Sequence, residues 1–123
     1  MSTISVLVVD DQADLRLLVR TLITMANDDL ECSIEAESGE AAIAYLDTAD
    51  ATVILLDQMM PGMTGVETAQ VILDRRPDQR IILFSAYLDE ELRTEARALG
   101  IRECIDKRNF DHVVPTIRRV AAA

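Results

Sequence analysis

Aromatic side chains are scarce in this sequence, which has two tyrosines, two phenylalanines and no tryptophan. So little aromatic surface is poor material for sandwiching an isoalloxazine ring, which counts against a flavin-binding electron carrier. Basic residues are in the minority, 12 Lys and Arg against 22 Asp and Glu, for a formal charge of −10. Neutralising nucleic-acid phosphates takes clustered Lys and Arg, so no nucleic acid is expected on this domain. Long hydrophobic runs are missing. Runs such as Val53 to Leu56 fall far below the about 20 residues of a membrane helix, so no membrane partner is expected. The two cysteines, Cys32 and Cys104, form no clustered pair, and Met1-Ser2-Thr3-Ile4 lacks the basic start of a secretory segment. Free thiols in a soluble, cytoplasmic chain are the expectation.

Half of the 123 residues are hydrophobic, enough to build the core of a single domain without staples. Five short apolar runs recur: Ile4 to Val9, Cys32 to Ala36, Thr52 to Leu56, Arg80 to Phe84 and Ile101 to Ile105. The first, third and fourth are nearly continuous Val, Ile and Leu, the pattern of parallel strands buried on both faces. The second and fifth alternate with polar residues and suit the sheet edges.

Between the runs, apolar residues recur at three- and four-residue spacing: Leu15, Leu18, Val19, Leu22 and Ile23; Ala41, Ala42, Tyr45 and Leu46; Val66, Ala69, Ile72 and Leu73; Leu88, Leu92, Ala96 and Leu99; Val113, Val114, Ile117 and Val120. Each set predicts a helix. Ser38 predicts an N-cap, Gly100 a C-terminal stop, and Pro115 a last helix that begins late or is distorted at its start. Strands alternating with helices imply a doubly wound α/β fold, whose functional site lies beyond the carboxyl ends of the strands.

The residues at those ends are chemically related. Asp10 and Asp11 follow the first run, Asp57 the third, Ser85 the fourth, and Lys107 the fifth after Asp106. Three converging carboxylates repel unless a cation compensates them. Mg²⁺ takes oxygen ligands and binds through one or two carboxylates plus phosphate oxygens. Lys107 offers a compact positive charge to a phosphoryl group, Ser85 a hydrogen bond, and an aspartate such as Asp57 can form an acyl phosphate. Taken singly, paired aspartates also solubilise loops, serines cap turns and lysines decorate surfaces. It is the joint pattern that points to phosphoryl chemistry.

The segments VLVVDDQADLRLLV, VILLDQMMPGMTGVE, IILFSA and IDK resemble the receiver domain of two-component response regulators, and the resemblance covers essentially the whole chain, 1–123, without an output domain. It implies a flavodoxin-like (βα)5 fold with strand order 2-1-3-4-5. Asp57 matches the phosphorylated aspartate, Asp11 a direct metal ligand, Asp10 its water-mediated neighbour, and Met59 the backbone carbonyl that ligates Mg²⁺ (or Mn²⁺). Ser85 and Lys107 match the switch hydroxyl and the lysine that pair with the phosphoryl group, and Pro61 and Gly65 shape the loop after the third strand. The implied donor is a histidine kinase or a phosphotransfer protein. A downstream protein target and a homodimer formed on phosphorylation are the further partners such a domain implies.

Two departures stand out. Cys104 occupies the place of the family's aromatic switch residue; Tyr87, two residues after Ser85, reads first as a partly exposed packing residue, with modulating the site and shielding an acyl phosphate as the second reading. Arg108 replaces a proline usually preceded by a cis peptide. Without proline a cis bond costs about 2.5–4 kcal/mol, so a trans bond is expected. The single histidine, His112, reads as a helix-start residue. The competing function is a metal-dependent aspartyl-phosphate phosphatase or phosphotransferase on small molecules. Enzymes of that type usually carry a second acid two residues after the nucleophile, where this chain has Met59.

Overall fold

A computed structural model describes residues 3–26 and 29–123, with the side chain of Ser33 left out. Five parallel strands, β1 (Ile4–Val9), β2 (Leu30–Ala36), β3 (Val53–Leu56), β4 (Arg80–Ser85) and β5 (Glu103–Asp106), form one sheet in the order β2-β1-β3-β4-β5. The helices are α1 (Ala13–Met25), α2 (Gly39–Leu46), α3 (Gly65–Arg75), α4 (Glu90–Leu99) and α5 (Val113–Ala122), with a 3₁₀ turn at Lys107–His112.

The two-residue period of a strand divides the core. Leu7, Val9, Ile54, Leu56, Ile81 and Leu83 face Ala42, Ala69, Ile72 and Ala96 of α2, α3 and α4. Val6, Val8, Val53, Leu55, Ile82 and Phe84 face Val19, Ile23, Val113 and Ile117 of α1 and α5. The central strands are therefore apolar on both faces, with Ser5 in β1 and Arg80 and Ser85 at the ends of β4 the polar exceptions, and the alternating runs sit at the edges, as expected.

Local signals set the helix ends. Ser38 Oγ accepts the Ala41 N–H, and Thr64 with Glu67 forms a reciprocal capping box. Gly100 closes α4 at φ 103°, in the left-handed region that glycine tolerates. Pro115 is the third residue of α5, where its missing N–H falls among those without an intrahelical partner. The helix begins at Val113, the first residue of its apolar set, and the irregularity lies just ahead of it, where a 3₁₀ turn precedes the helix and Asn109 leaves helical geometry at φ −107°, ψ 51°. His112 is the N-cap residue of α5, as read from the sequence.

The third strand starts one residue late, at Val53, and the fourth ends one residue late, at Ser85; three other boundaries differ for a local reason. The second strand begins at Leu30 rather than Cys32, because Ile4 pairs with Leu30 and the register slips at Ser33, lengthening the strand by a bulge. The fifth begins at Glu103 rather than Ile101, because the Ile101 N–H is committed to the Ala96 carbonyl at the end of α4. Leu88 lies outside its helix, since Asp89 caps α4 by accepting the Leu92 N–H. Cys32 and Cys104 occupy opposite sheet edges, four strand spacings or about 19 Å apart, beyond the roughly 7 Å Cα limit of a disulfide. Among the described residues, no helix is long and apolar enough to cross a membrane.

Candidate functional site

The parallel register sets the site. Val9 of β1 pairs with Leu56 of β3, so the residues that follow them, Asp10 and Asp57, leave the sheet side by side. The Asp57 N–H donates to the Val9 carbonyl at 2.9 Å, and the Asp10 N–H to the Ala36 carbonyl at 3.0 Å. Both side chains are almost fully buried while Asp11 is exposed, so the cluster has a dry floor and a wet rim. One carboxylate oxygen from each of Asp10, Asp11 and Asp57 lies within 4.8 Å of the others. Three hard oxygen donors at that spacing fit a divalent cation such as Mg²⁺ or Mn²⁺.

Lys107, the chain's one lysine, reaches the same place from the end of β5. Its Nζ lies 2.8 Å from Asp10 Oδ2 and 3.1 Å from Asp57 Oδ1, with the Phe84 ring centroid 5.9 Å away. Burial pushes the Asp57 carboxyl above the ordinary range and the Asp10 charge adds to this, against the opposing pull of Lys107 and the Met59 N–H. On Lys107, burial acts downward, but hydrogen bonding to Asp10 and the charges of Asp57 and Asp10 outweigh it and hold the ammonium above its usual value. The site thus keeps a cation between two buried acids.

Ser85, the last residue of β4, is fully buried, and its Oγ accepts the Tyr87 N–H at 3.2 Å rather than bonding a carboxylate. Tyr87 and Met59 are 77% and 61% exposed, so neither side chain packs in the core, and the packing reading of Tyr87 does not hold. Cys104 lies outside the cluster, half-buried against the core under α4, where burial raises its thiol.

Gly65 is required by close approach. A Cβ there would collide with the Asp57 carbonyl oxygen and come within 2.9 Å of Gln58 Cα. Pro61 lies in the same loop, which Gly65 ties back through its N–H to the Gln58 carbonyl at 3.0 Å.

The Lys107–Arg108 peptide is trans, as expected. Arg108 has its own structural use. Its side chain grips Asp106 through Nε at 3.0 Å and a terminal nitrogen at 2.8 Å, and its N–H donates to Asp106 Oδ1 at 2.9 Å. A proline could make none of these bonds. The Arg108 side chain pulls the Asp106 carboxyl down to about 2. The backbone on either side of Lys107 is therefore clamped.

Two contributors escaped the sequence reading. Arg16 donates to the Asp10 carbonyl at 2.6 Å and pairs with Glu35 at 3.3 Å, bracing the acidic loop against β2. Gln58 accepts the Val66 N–H at the start of α3. Arginine in the first turn after paired aspartates was the available signal for the first; nothing in the sequence marks the second.

The chain matches the family described as "Response regulator receiver domain" over residues 6–118. It is 39% identical over 87 residues to the nitrate/nitrite response regulator protein NarL of Escherichia coli, covering 71% of this chain and 40% of that protein. The chemotaxis protein CheY of Listeria monocytogenes is 27% identical over 119 residues, covering 96% of this chain and 98% of that protein. The solved structure of the response regulator protein TrrA from Thermotoga maritima superposes with a TM-score of 0.81 at 30% identity, over 98% of this chain and 99% of that one. The fold, the acidic cluster and these matches agree: the chain belongs to the response regulator receiver domain family and is a phosphorylation-controlled signalling module of the two-component type.

Proposed function

We propose that Asp57 is the phosphoryl acceptor, that Asp10, Asp11, Asp57 and the Met59 carbonyl hold Mg²⁺ (or Mn²⁺), and that residues 1–123 act as one receiver domain whose donor is the phosphohistidine of a histidine kinase or phosphotransfer protein. The observation that carries this reading is the three-carboxylate cluster with Lys107 bridging Asp10 and Asp57. The TrrA structure is described as a complex with Mg(2+)-BeF, which supports magnesium as the metal.

In the reaction an Asp57 oxygen attacks phosphorus. The P–O bond forms as the P–N bond to the donor imidazole breaks, and the electron pair stays on the imidazole nitrogen, which takes up a proton from water. When bound, the metal screens the carboxylates and withdraws charge from the phosphoryl oxygens. Lys107, already held against Asp57, is placed to pair with a phosphoryl oxygen. Ser85 Oγ, which accepts the Tyr87 N–H, turns from it to donate its hydroxyl proton to a phosphoryl oxygen. Because that N–H bond ties Ser85 to its loop, the exchange moves residues 85–87, and the loop transmits the change to a downstream protein. The small-molecule phosphatase alternative gains no support, since Met59 offers no second acid.

Intact mass after incubation with a small phosphodonor and Mg²⁺ tests the reading. A covalent increment is expected, and a chelator or Asp57→Ala is expected to abolish it; an increment surviving Asp57→Ala would move the phosphosite elsewhere. Tyr87 gives a second test. We expect the acyl phosphate to be lost faster from Tyr87→Ala than from the parent, measured by its decay after donor removal. Equal decay rates would reject shielding by this ring.

The chain spans 40% of the length of NarL, so the full protein's output belongs to this proposal as well. The receiver is read as acting on a protein target, and a homodimer on phosphorylation is one form that target takes.

A further inference from the structure

The peptide that joins Asp10 to Asp11 is held by a side chain from outside the acidic cluster. Both backbone groups of Asp10 have partners. Its N–H donates to the Ala36 carbonyl at 3.0 Å, and its carbonyl accepts from Arg16 Nη1 at 2.6 Å. Arg16 is the fourth residue of α1, and its side chain is only 17% exposed. Its Nε lies 3.3 Å from Glu35 Oε1, while Arg20 Nη1 lies 2.6 Å from Glu35 Oε2. Glu35 and Ala36 are the last two residues of β2. The end of β2 therefore holds Asp10 twice, directly through Ala36 and by way of Arg16 through Glu35.

The two aspartates depend on this contact unequally. Other groups hold the Asp10 carboxylate: Oδ1 accepts the Gln12 N–H at 2.9 Å, and Oδ2 faces Lys107 Nζ at 2.8 Å. The Asp11 side chain is exposed and takes no hydrogen bond among the described residues. What sets its direction is the backbone that carries it. A peptide is planar from one Cα to the next, so fixing the Asp10 carbonyl fixes the plane that ends at the Asp11 Cα. Gln12 caps α1 without a side-chain hydrogen bond, so no N-cap bond stiffens the turn from the other side. Arginine suits the task because its fork serves two acceptors on different elements at once, where lysine has one nitrogen for both.

We propose that Arg16 is a positioning residue for the divalent cation: it fixes the Asp10–Asp11 peptide and so aims the Asp11 carboxylate at the ion, and Glu35 holds Arg16 in place to do so. The inference rests on the reading that Asp10 and Asp11 hold the metal. Its sign separates it from plain electrostatics. A guanidinium beside an acidic cluster repels a divalent cation, so as a charge alone Arg16 lowers metal affinity and its removal raises it. As a brace it raises affinity and its removal lowers it, since partners that orient a ligand are worth about 10- to 100-fold in metal affinity. Glu35 lies against the same guanidinium and offsets its charge, so the brace outweighs the repulsion.

The experiment is a calorimetric titration of the full, unphosphorylated chain with Mg²⁺ at neutral pH, with amide NMR spectra to report that each variant is folded. Arg16→Met is expected to bind Mg²⁺ about tenfold more weakly than the parent, the low end for a partner that orients a ligand. Arg16→Lys keeps the charge but not the fork, so it is expected to fall between the two, and it carries the test if Arg16→Met does not fold. Glu35→Ala is expected to weaken binding as well, and to add nothing in the Arg16→Met background, because it acts through Arg16. Three results would each overturn the proposal: Arg16→Met binding Mg²⁺ as tightly as the parent or more tightly, Arg16→Lys matching the parent, or the Glu35→Ala loss persisting in full without Arg16. Asp11→Ala distinguishes the two levels of failure. If it binds Mg²⁺ like the parent, the reading of the metal site falls and this inference with it. If it loses the ion while Arg16→Met keeps it, this inference alone falls.

Discussion

A Lys107→Met protein is expected to lose about 3 kcal/mol of stability at neutral pH without divalent cation, the low end of what removing one partner of a buried ion pair costs. The low end applies because Asp11 opens the cluster to water on one side. The Lys107 side chain is 14% exposed, and those of Asp10 and Asp57 are 4% each. Methionine keeps the stem and removes the charge, leaving two adjacent acids with no counter-ion. Added Mg²⁺ is expected to restore most of the loss.

The pH dependence has a definite sign. The Asp57 carboxyl is raised in the folded parent, so the folded state holds its proton more tightly than the unfolded chain. Stability from this group is greatest at low pH and falls as pH rises through the folded value. Removing Lys107 takes away a lowering influence, so the window extends to higher pH, and the variant's deficit grows from acid toward neutrality. Lys107 itself is raised in the parent, so its contribution is present below the unfolded lysine value and is lost as pH rises through the folded one. Chemical denaturation with chelator and with Mg²⁺, at acidic, neutral and alkaline pH, measures all of this. Equal stability of parent and variant under chelator would mean that Lys107 does not compensate the acids.

Gly65→Ala is expected to cost about 2–4 kcal/mol and to weaken divalent cation binding, a penalty at or above the usual range for overpacking. The new methyl group meets the Asp57 carbonyl and Gln58 Cα, both backbone, so no side chain can swing aside. Either α3 retreats or the loop carrying Asp57 shifts, and in both cases the carboxylate leaves its place beside Asp10. Gly62→Ala is the useful contrast. Its backbone is at φ 81°, but its closest neighbour is the flexible carboxylate of Glu40, so only about 1 kcal/mol of backbone strain is expected. Denaturation midpoints of the two variants rank the effects. A Gly62→Ala protein less stable than Gly65→Ala would show that close approach is not what position 65 requires.

These residues also show what the sequence makes legible. Asp10, Asp11, Asp57 and Lys107 could be read because each follows an apolar run, and parallel strands bring their ends together whatever the loop detail. Ser38 and Gly100 were legible because caps act through their own neighbours. Arg16 was not, because its partner is a backbone carbonyl in the preceding loop. The missing proline after Lys107 was visible, but not that Arg108 would grip Asp106 with three hydrogen bonds in its stead. The starts of β2 and β5 were misjudged because a bulge at Ser33 and the helix-end bond of Ile101 depend on pairing, not composition.

The central claim is that Asp57 carries the phosphoryl group, and borohydride trapping tests it most directly. Hydride reduces an acyl phosphate to an alcohol and releases phosphate, so a phosphorylated aspartate becomes homoserine. After labelling with a small phosphodonor and Mg²⁺, peptide mapping is predicted to find homoserine at position 57 and nowhere else. Homoserine at position 10 or 11, or a phosphoryl group that resists borohydride and maps to Ser85 or another hydroxyl, would contradict the account.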